Sequence, residues 1–264
     1  MEQVEKRQLD RVRPARRNLS VGLARNGDEI LEAQRLRYRV FAGEMGANLP
    51  TRTPGVDSDV YDPFCQHLVV RDDNSGEIVG TYRILTPDNA RAIGYYSENE
   101  FDLTRLANLR PRLQHLRPRL VEIGRSCVDP EYRTGATITL LWSGLARFMV
   151  EHSYDYLMGC ASISMADGGH NAASLYARLA EGEKSHLGPI EYRVFPRCPL
   201  PLAALNQTLP AETPPLIKGY LRAGAWICGE PAWDPDFNTA DLPILMPMGR
   251  VEGRYAKHFL GQND

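Results

Sequence analysis

The sequence has few cysteines and no CxxC pair. Cys65, Cys127, Cys160, Cys198 and Cys228 are odd in number and scattered over 264 residues, which argues against a disulfide framework or a zinc site and fits a reducing compartment. Long apolar runs are missing too. No stretch of about 18 apolar residues offers a membrane span, and the charged first twenty residues lack the apolar core of a secretion signal. Neither sign of charge is in excess: 31 Lys and Arg against 33 Asp and Glu leave a net charge of −2, which gives nucleic-acid binding no electrostatic footing. There is no HExxH, no GxSxG, no Walker loop and no dinucleotide glycine fingerprint. The expectation is a cytoplasmic protein with no metal and no tightly bound cofactor.

What is present is a regular alternation of patterns. Residues 1–18 are a polar lead-in, and 19–264 read as one domain with a Pro-rich C-terminal part. "VGLARNGDEI" supplies a first strand and turn. A helix is expected from Asp28, as its cap, to about Met45, with Ala33, Leu36 and Val40 as its apolar stripe. "GANLPTRTPGVDSDVYDP" is a long structured loop. "CQHLVVRD", the turn "DNSGE" and "IVGTYRIL" form a hairpin. From Thr134 to His152, Ile138, Leu141, Trp142, Leu145, Phe148 and Met149 recur at helical spacing. "YDYLMGCAS", "NAASLYARLAE" and "LPILMPM" add a strand, a helix and a last strand. The order predicts an α/β or α+β fold with a central mixed, twisted sheet flanked by helices.

Charge in unexpected places marks the candidate chemistry. Glu122 and Arg125 lie inside the apolar run "VEIGRSCV", where an unpaired charge is costly. Strand alternation sends them to opposite faces unless a bulge at Gly124 brings them together. They are either charges at a sheet edge or an active-site carboxylate with its arginine. "RTGAT", Arg133 to Thr137, opens the long helix with amides suited to a phosphate, although Thr134 as a plain N-cap explains it almost as well. Asp57, Asp59 and Asp62 crowd the irregular loop without calcium-site spacing. His67 reads as structural and Cys127 as a small buried hydrophobe.

Taken in order, "LRYRVFAGEMGA", "DSDVYDPFCQHLVV", "GEIVGTYRIL" and "VEIGRSCVDPEYR" resemble the ornithine N-acyltransferases of bacterial ornithine-lipid synthesis. Those are distant relatives of the acyl-homoserine-lactone synthases within the acetyltransferase-like (GNAT) fold. "GYLRAGAWICGEPAWDPDFNTADLPILM" resembles the same acyltransferases, and the likeness spans roughly Gly22 to Leu260. It implies Arg37 and Phe41 on the first helix, Asp59 and Asp62 in the loop and Arg83 on the hairpin as substrate-binding residues, with Glu122 and Arg125 as the catalytic pair. By the same implication, a backbone N–H near Cys127 or Val128 stabilises the oxyanion. Arg133, Thr134, Gly135 and Ala136 take the donor's phosphate.

Two departures refine this expectation. Ala47 stands where the lactone synthases usually have Trp, which speaks against S-adenosylmethionine as acceptor. "EYRTGAT" keeps only part of the coenzyme A loop, which fits an acyl-carrier-protein donor that the Arg-rich stretch Arg105 to Arg119 would meet. The implied reaction is transfer of a (3-hydroxy) long-chain acyl group from carrier protein to the α-amine of ornithine. Asp59 and Asp62 would read the δ-ammonium, Arg37 or Arg83 the carboxylate, and Arg125 would hold Glu122 or that carboxylate. A lipid product implies peripheral contact with the inner membrane. The alternatives are a lactone synthase, another amino-acid N-acyltransferase, or a non-enzymatic module that binds carrier protein or membrane.

Overall fold

A computed structural model describes residues 17–106, 110–111, 113–181 and 185–251. The expected lead-in therefore lies almost wholly outside the described residues. In chain order the structure runs β1 (Leu19–Leu23), α1 (Gly27–Tyr38), β2 (Cys65–Asp72), β3 (Ile78–Leu85) and α2 (Pro87–Ile93). The short strands β4 (Phe101–Asp102), β5 (Arg105–Leu106) and β6 (Arg110–Pro111) follow, then β7 (Leu120–Val128) and α3 (Gly135–Glu151). After these come β8 (Tyr156–Ser164), α4 (His170–Ala180), β9 (Phe195–Pro196), α5 (Pro215–Arg222), β10 (Trp226–Ile227), β11 (Ala232–Asp234) and β12 (Thr239–Pro247).

Eight of these strands make one sheet in the order β1-β2-β3-β7-β8-β12-β10, with β11 also on β12. The pair β7–β8 is parallel and its neighbours are antiparallel, so the sheet is mixed as expected. Each half is contiguous in sequence: β1, β2, β3 and β7 on one side of that pair, β8, β12, β10 and β11 on the other. β3 is buried at all eight positions, as an inner strand must be. One face is covered by α3, α4 and α5 over Leu68, Tyr82, Ile84, Val121 and Ile123. On the other face α1 and the turn that follows it pack Ala33, Leu36 and Val40 against Val69, Ile78 and Cys127, while α2 and the segment after it cover Leu85, Leu120 and Met158.

Two boundaries differ from expectation. The cap of α1 is Asn26, whose Oδ1 accepts from the Glu29 amide at 3.0 Å; Asp28 lies in the first turn, where its charge suits the helix dipole. The helix does not run on as α-helix to Met45. From Arg39 to Glu44 it loosens into a π-helical turn, with the Met45 amide reaching Val40 O at 3.0 Å and Ala47 reaching Phe41 O at 2.8 Å. Such insertions re-aim side chains and favour functional sites. Here the re-aimed side chain is Phe41, which lines the cavity described next.

Candidate active site

The parallel ladder between β7 and β8 is only three residues long. Leu120, Val121 and Glu122 register with Tyr156, Leu157 and Met158, and then the strands part although each continues to its end. Gly159 sits at the fork, where a Cβ would come within 2.4 Å of Ile123 O. A cavity of about 220 Å³ fills the gap. Because neighbouring strand residues alternate in direction, its walls come from both faces of the sheet. Arg83, Leu85, Glu122, Cys160, Ser162 and Asp241 line one half, while Tyr82, Ile123, Leu157, Ile244 and Met246, with Tyr220 of α5, line the other. The first half is polar and the second apolar.

Glu122 and Arg125 do reach the same cavity. The register jumps from Arg83↔Gly124 to Thr81↔Cys127, so Arg125 and Ser126 together oppose Tyr82. Arg125 takes a φ of 50°. The bulge thus falls one residue beyond Gly124.

The two side chains are not partners, which corrects the expectation that Arg125 holds Glu122. Glu122, 4% exposed, accepts from the Tyr96 amide at 2.7 Å, the Ser97 amide at 2.8 Å and Ser97 Oγ at 2.5 Å. Burial pushes its carboxyl above the ordinary glutamate range, against the pull of these donors and of Arg83. Arg125 lies instead 3.4 Å from Asp57 and 3.3 Å from Asp59, over the rings of Tyr96 and Phe237.

The residues expected to bind substrate form a closed lattice. Arg37, with none of its surface exposed, donates to Asp57 Oδ2 at 2.9 Å and Asp62 Oδ1 at 2.8 Å. Arg83 donates to both Asp59 oxygens at 2.7 Å and to Asp62 Oδ2 at 3.2 Å. Burial works against the charge of Asp62, yet Arg37 and Arg83 hold its carboxyl well below the usual range. Three carboxylates meet three guanidiniums, and the lattice is neutral as a unit. Arg37 and Asp62 are sealed within it, so Arg37 has no route to a substrate carboxylate and Asp62 none to an ammonium. Their part is to fix the loop that carries Asp57 and Asp59 against β3 and β7. Phe41 meets Phe237 edge-on at 5.6 Å and lines the cavity.

The start of α3 also differs from expectation. Arg133 is bound at both terminal nitrogens by Glu44, at 2.5 Å, and donates to Val128 O at 3.2 Å; it is not a free guanidinium. Thr134 occupies the N-cap position but its side chain caps nothing. Gly135 and Ala136 are exposed in a first turn whose amides lack intrahelical partners. Cys127 is buried with its thiol pushed up to about 12, so it is no nucleophile.

Several residues of the site carried no mark in the sequence reading. Tyr96 and Ser97, which grip Glu122, fall in a short 3₁₀ turn, Tyr96–Glu98, and nothing local distinguishes them. Asp241 is different: it is a buried acid inside the apolar strand "TADLPILMP", the same signal that singled out Glu122. With Glu100 and Cys160 it forms a group whose ligand atoms all lie within 4.8 Å of one another. Burial and the neighbouring Asp241 push the Glu100 carboxyl up to about 10, and burial raises the Cys160 thiol well above its ordinary value. Protonated groups of this kind are poor metal ligands.

Known proteins share this architecture. The Acetyltransferase (GNAT) domain family matches residues 36–143. Among solved structures, the CoA-dependent acyl-homoserine lactone synthase BjaI aligns with a TM-score of 0.53 at 13% identity, over 91% of this chain and 88% of that one. FeeM, an N-acyl amino acid synthase from uncultured soil microbes, aligns with a TM-score of 0.51 at 11% identity, over 90% of this chain and 95% of that one. At such identity these likenesses establish the fold. Sequence relatives go further. The L-ornithine N(alpha)-acyltransferase of Agrobacterium fabrum is 39% identical over 92% of this chain and 86% of its own length. That of Brucella abortus is 38% identical over 92% and 89%, and that of Rhizobium meliloti 37% identical over 92% and 84%. This chain, with a GNAT fold parted around a buried glutamate, belongs to the L-ornithine N(alpha)-acyltransferase family.

Proposed function

We propose that the protein transfers a long-chain, 3-hydroxylated acyl group from acyl-carrier protein to the α-amine of ornithine, giving a lyso-ornithine lipid. The observation that carries this reading is the cavity through the sheet, with a polar half around Glu122 and an apolar half running to Tyr220 and Met246. An amino acid suits the first half and an acyl tail the second, and the thioester carbonyl then sits between them, at the fork of β7 and β8.

The reaction needs a neutral amine. Glu122, whose raised pKa makes it a better base than an exposed glutamate, takes a proton from the α-ammonium or from the attacking nitrogen, directly or through one water. The nitrogen bonds to the carbonyl carbon, the C–S bond breaks, and the pantetheine sulfur leaves with a proton. Beyond Glu122 the edge of β7 that faces β8 has no strand partner, so a backbone N–H near Cys127 or Val128 is the candidate oxyanion donor. The free amides at Gly135 and Ala136 suit the arm's phosphate. Asp59, the least buried acid of the lattice with Asp57 behind it, borders the acceptor.

A carrier protein would dock beside the Arg-rich segment before β7. Part of the Arg105–Arg119 stretch lies outside the described residues, Arg117 is paired with Glu98, and Arg119 pairs with Asp155 at 2.9 Å while remaining half exposed. No described helix is long and apolar enough to cross a membrane. Contact with the inner leaflet, if the product is delivered there, would use exposed apolar side chains such as Trp233, 43% exposed.

The test is a mass-spectrometric assay with purified protein, 3-hydroxyacyl carrier protein and an equimolar panel of amino acids, with acyl-coenzyme A in parallel. Acyl-ornithine that depends on carrier protein is the expected result. An adduct on another amine, or one made equally well from coenzyme A, replaces the acceptor or the donor. No adduct from either donor overturns the reading.

A further inference from the structure

The lattice of Asp57, Asp59 and Asp62 spends its charge on arginines, which leaves open what recognises a cationic side chain. The polar half of the cavity holds a second set of acids that no arginine neutralises. Asp241 registers with Ser162 across β8 and β12, and in-register residues share a face. Cys160 lies two residues back on that face, and Met158, two further, registers with Glu122. Asp241 therefore looks into the same space as Glu122, and both line the cavity with Glu100 and Asp234.

Asp241 is 4% exposed and one of its oxygens accepts from Thr239 Oγ1 at 3.1 Å. Both oxygens of the Glu100 carboxylate are buried and accept no hydrogen bond from a described amide, guanidinium or imidazole. Among the described residues neither acid enters an ion pair. The two carboxyls are in contact with each other and near Cys160, Ser162 and Thr239, but no positive charge among the described residues reaches them, and a buried acid pair without one is costly. A primary ammonium supplies what is missing: one positive charge and three donors on a single small atom.

We propose that Glu100 and Asp241 bind the side-chain ammonium of a diamino-acid acceptor and set the preference for a cationic over a neutral side chain. This rests on the reading of the protein as an amino-acid N-acyltransferase given above. Cys160 adjoins both ends of such a site. Cys160 Sγ stands 3.5 Å from Ser97 Oγ, which holds Glu122, and within 4.8 Å of Glu100 and Asp241. The α-amine at Glu122 and the far ammonium at the acid pair then lie on either side of Cys160, with the methylenes of ornithine over it. The raised pKa of Glu100 fits a pair that shares a proton when empty and ionises more readily, releasing that proton to water, when a cation binds.

Ornithine and norvaline, which has the same carbon chain without the terminal amine, separate this role from others. Wild type, Glu100→Gln and Asp241→Asn are compared for kcat/KM on each amino acid with one donor, and for binding of each by calorimetry with no donor. The expected result is that each substitution lowers the ornithine-to-norvaline ratio of kcat/KM by at least about 30-fold, the cost of leaving a buried charge without its partner. The preference for ornithine in binding falls with it. Gln and Asn keep shape and polarity, and thermal melting checks that the variants fold. Equal losses on both amino acids mean that the pair is only structural and overturn the proposal. So does equal binding of ornithine and norvaline to wild type. Loss of ornithine turnover on chelation, with a divalent ion recovered from the untreated protein, makes the site a metal centre and overturns it also. Absence of acyl-ornithine from wild type, with ornithine still bound more tightly than norvaline, sinks the transfer reaction and leaves the ammonium site standing.

Discussion

In the proposed reaction Glu122 is the general base. Its carboxylate accepts from two amides and one hydroxyl, so its position is fixed by backbone; Gln keeps the shape but sets its NH2 against one of those donors, and thermal melting checks that Glu122→Gln is folded. That substitution is expected to lower kcat by about 10²- to 10⁴-fold, with less effect on KM. Steady-state kinetics check it, and an unchanged kcat removes Glu122 as the base. The acidic limb of the wild-type pH–rate profile should lie above the ordinary glutamate range and vanish in the variant. This residue was legible because a charge in an apolar strand is conspicuous. Asp241 obeyed the same rule and went unread. The mutual pairing of Arg37, Asp59, Asp62 and Arg83 is not legible in the same way. Their types and spacing are local, but their partners are 20 to 66 positions away, and only the fold shows that they neutralise each other.

At the scale of elements, the decisive feature is the fork between β7 and β8. Gly159 lets the two backbones stay this close just beyond the last ladder pair, since a methyl group there would meet the Ile123 carbonyl. Backbone cannot yield as a flexible side chain would. Gly159→Ala is expected to cost about 1–3 kcal/mol, seen as a lower denaturation midpoint, and to reduce kcat/KM by reshaping the cavity. A neutral effect on both would show that the strands can move further apart at this point at no cost. The sequence exposed the strands, the hairpin and α3 because each carries its own period. It did not expose the π-helical turn after Tyr38, which leaves the apolar stripe almost unchanged, nor the exact place of the bulge, which depends on how Arg125 finds Asp57 and Asp59.

For the whole molecule, stability should peak in a band of pH bounded by opposite effects. Glu29, held down to about 2 by Arg71, with Arg25 also contributing, adds stability that is present above its ordinary value near 4.5 and is lost as pH falls through about 2. Glu100 works in the other direction. Its carboxyl is raised to about 10, so stability is full below 4.5 and declines as pH rises toward that value, because the unfolded chain ionises first. The melting temperature of Glu100→Gln should therefore gain on wild type as pH rises from about 5 to about 9. A constant difference across that range would mean that Glu100 titrates normally. A gain in stability alongside a loss of selectivity is the trade expected of a binding site that keeps a strained pair of acids.

The three-residue ladder between β7 and β8 also bears on how the protein is made. Every pairing of the first half-sheet lies within residues 19–128, and every pairing of the second within residues 156–247. During synthesis the first half can complete its hydrogen bonding while the second is still inside the ribosome. The nascent chain then carries Glu122 and Arg125 on an open strand edge, with no cavity around them. Acyl transfer begins as a property of the molecule only when the later half arrives and closes along Leu120, Val121 and Glu122.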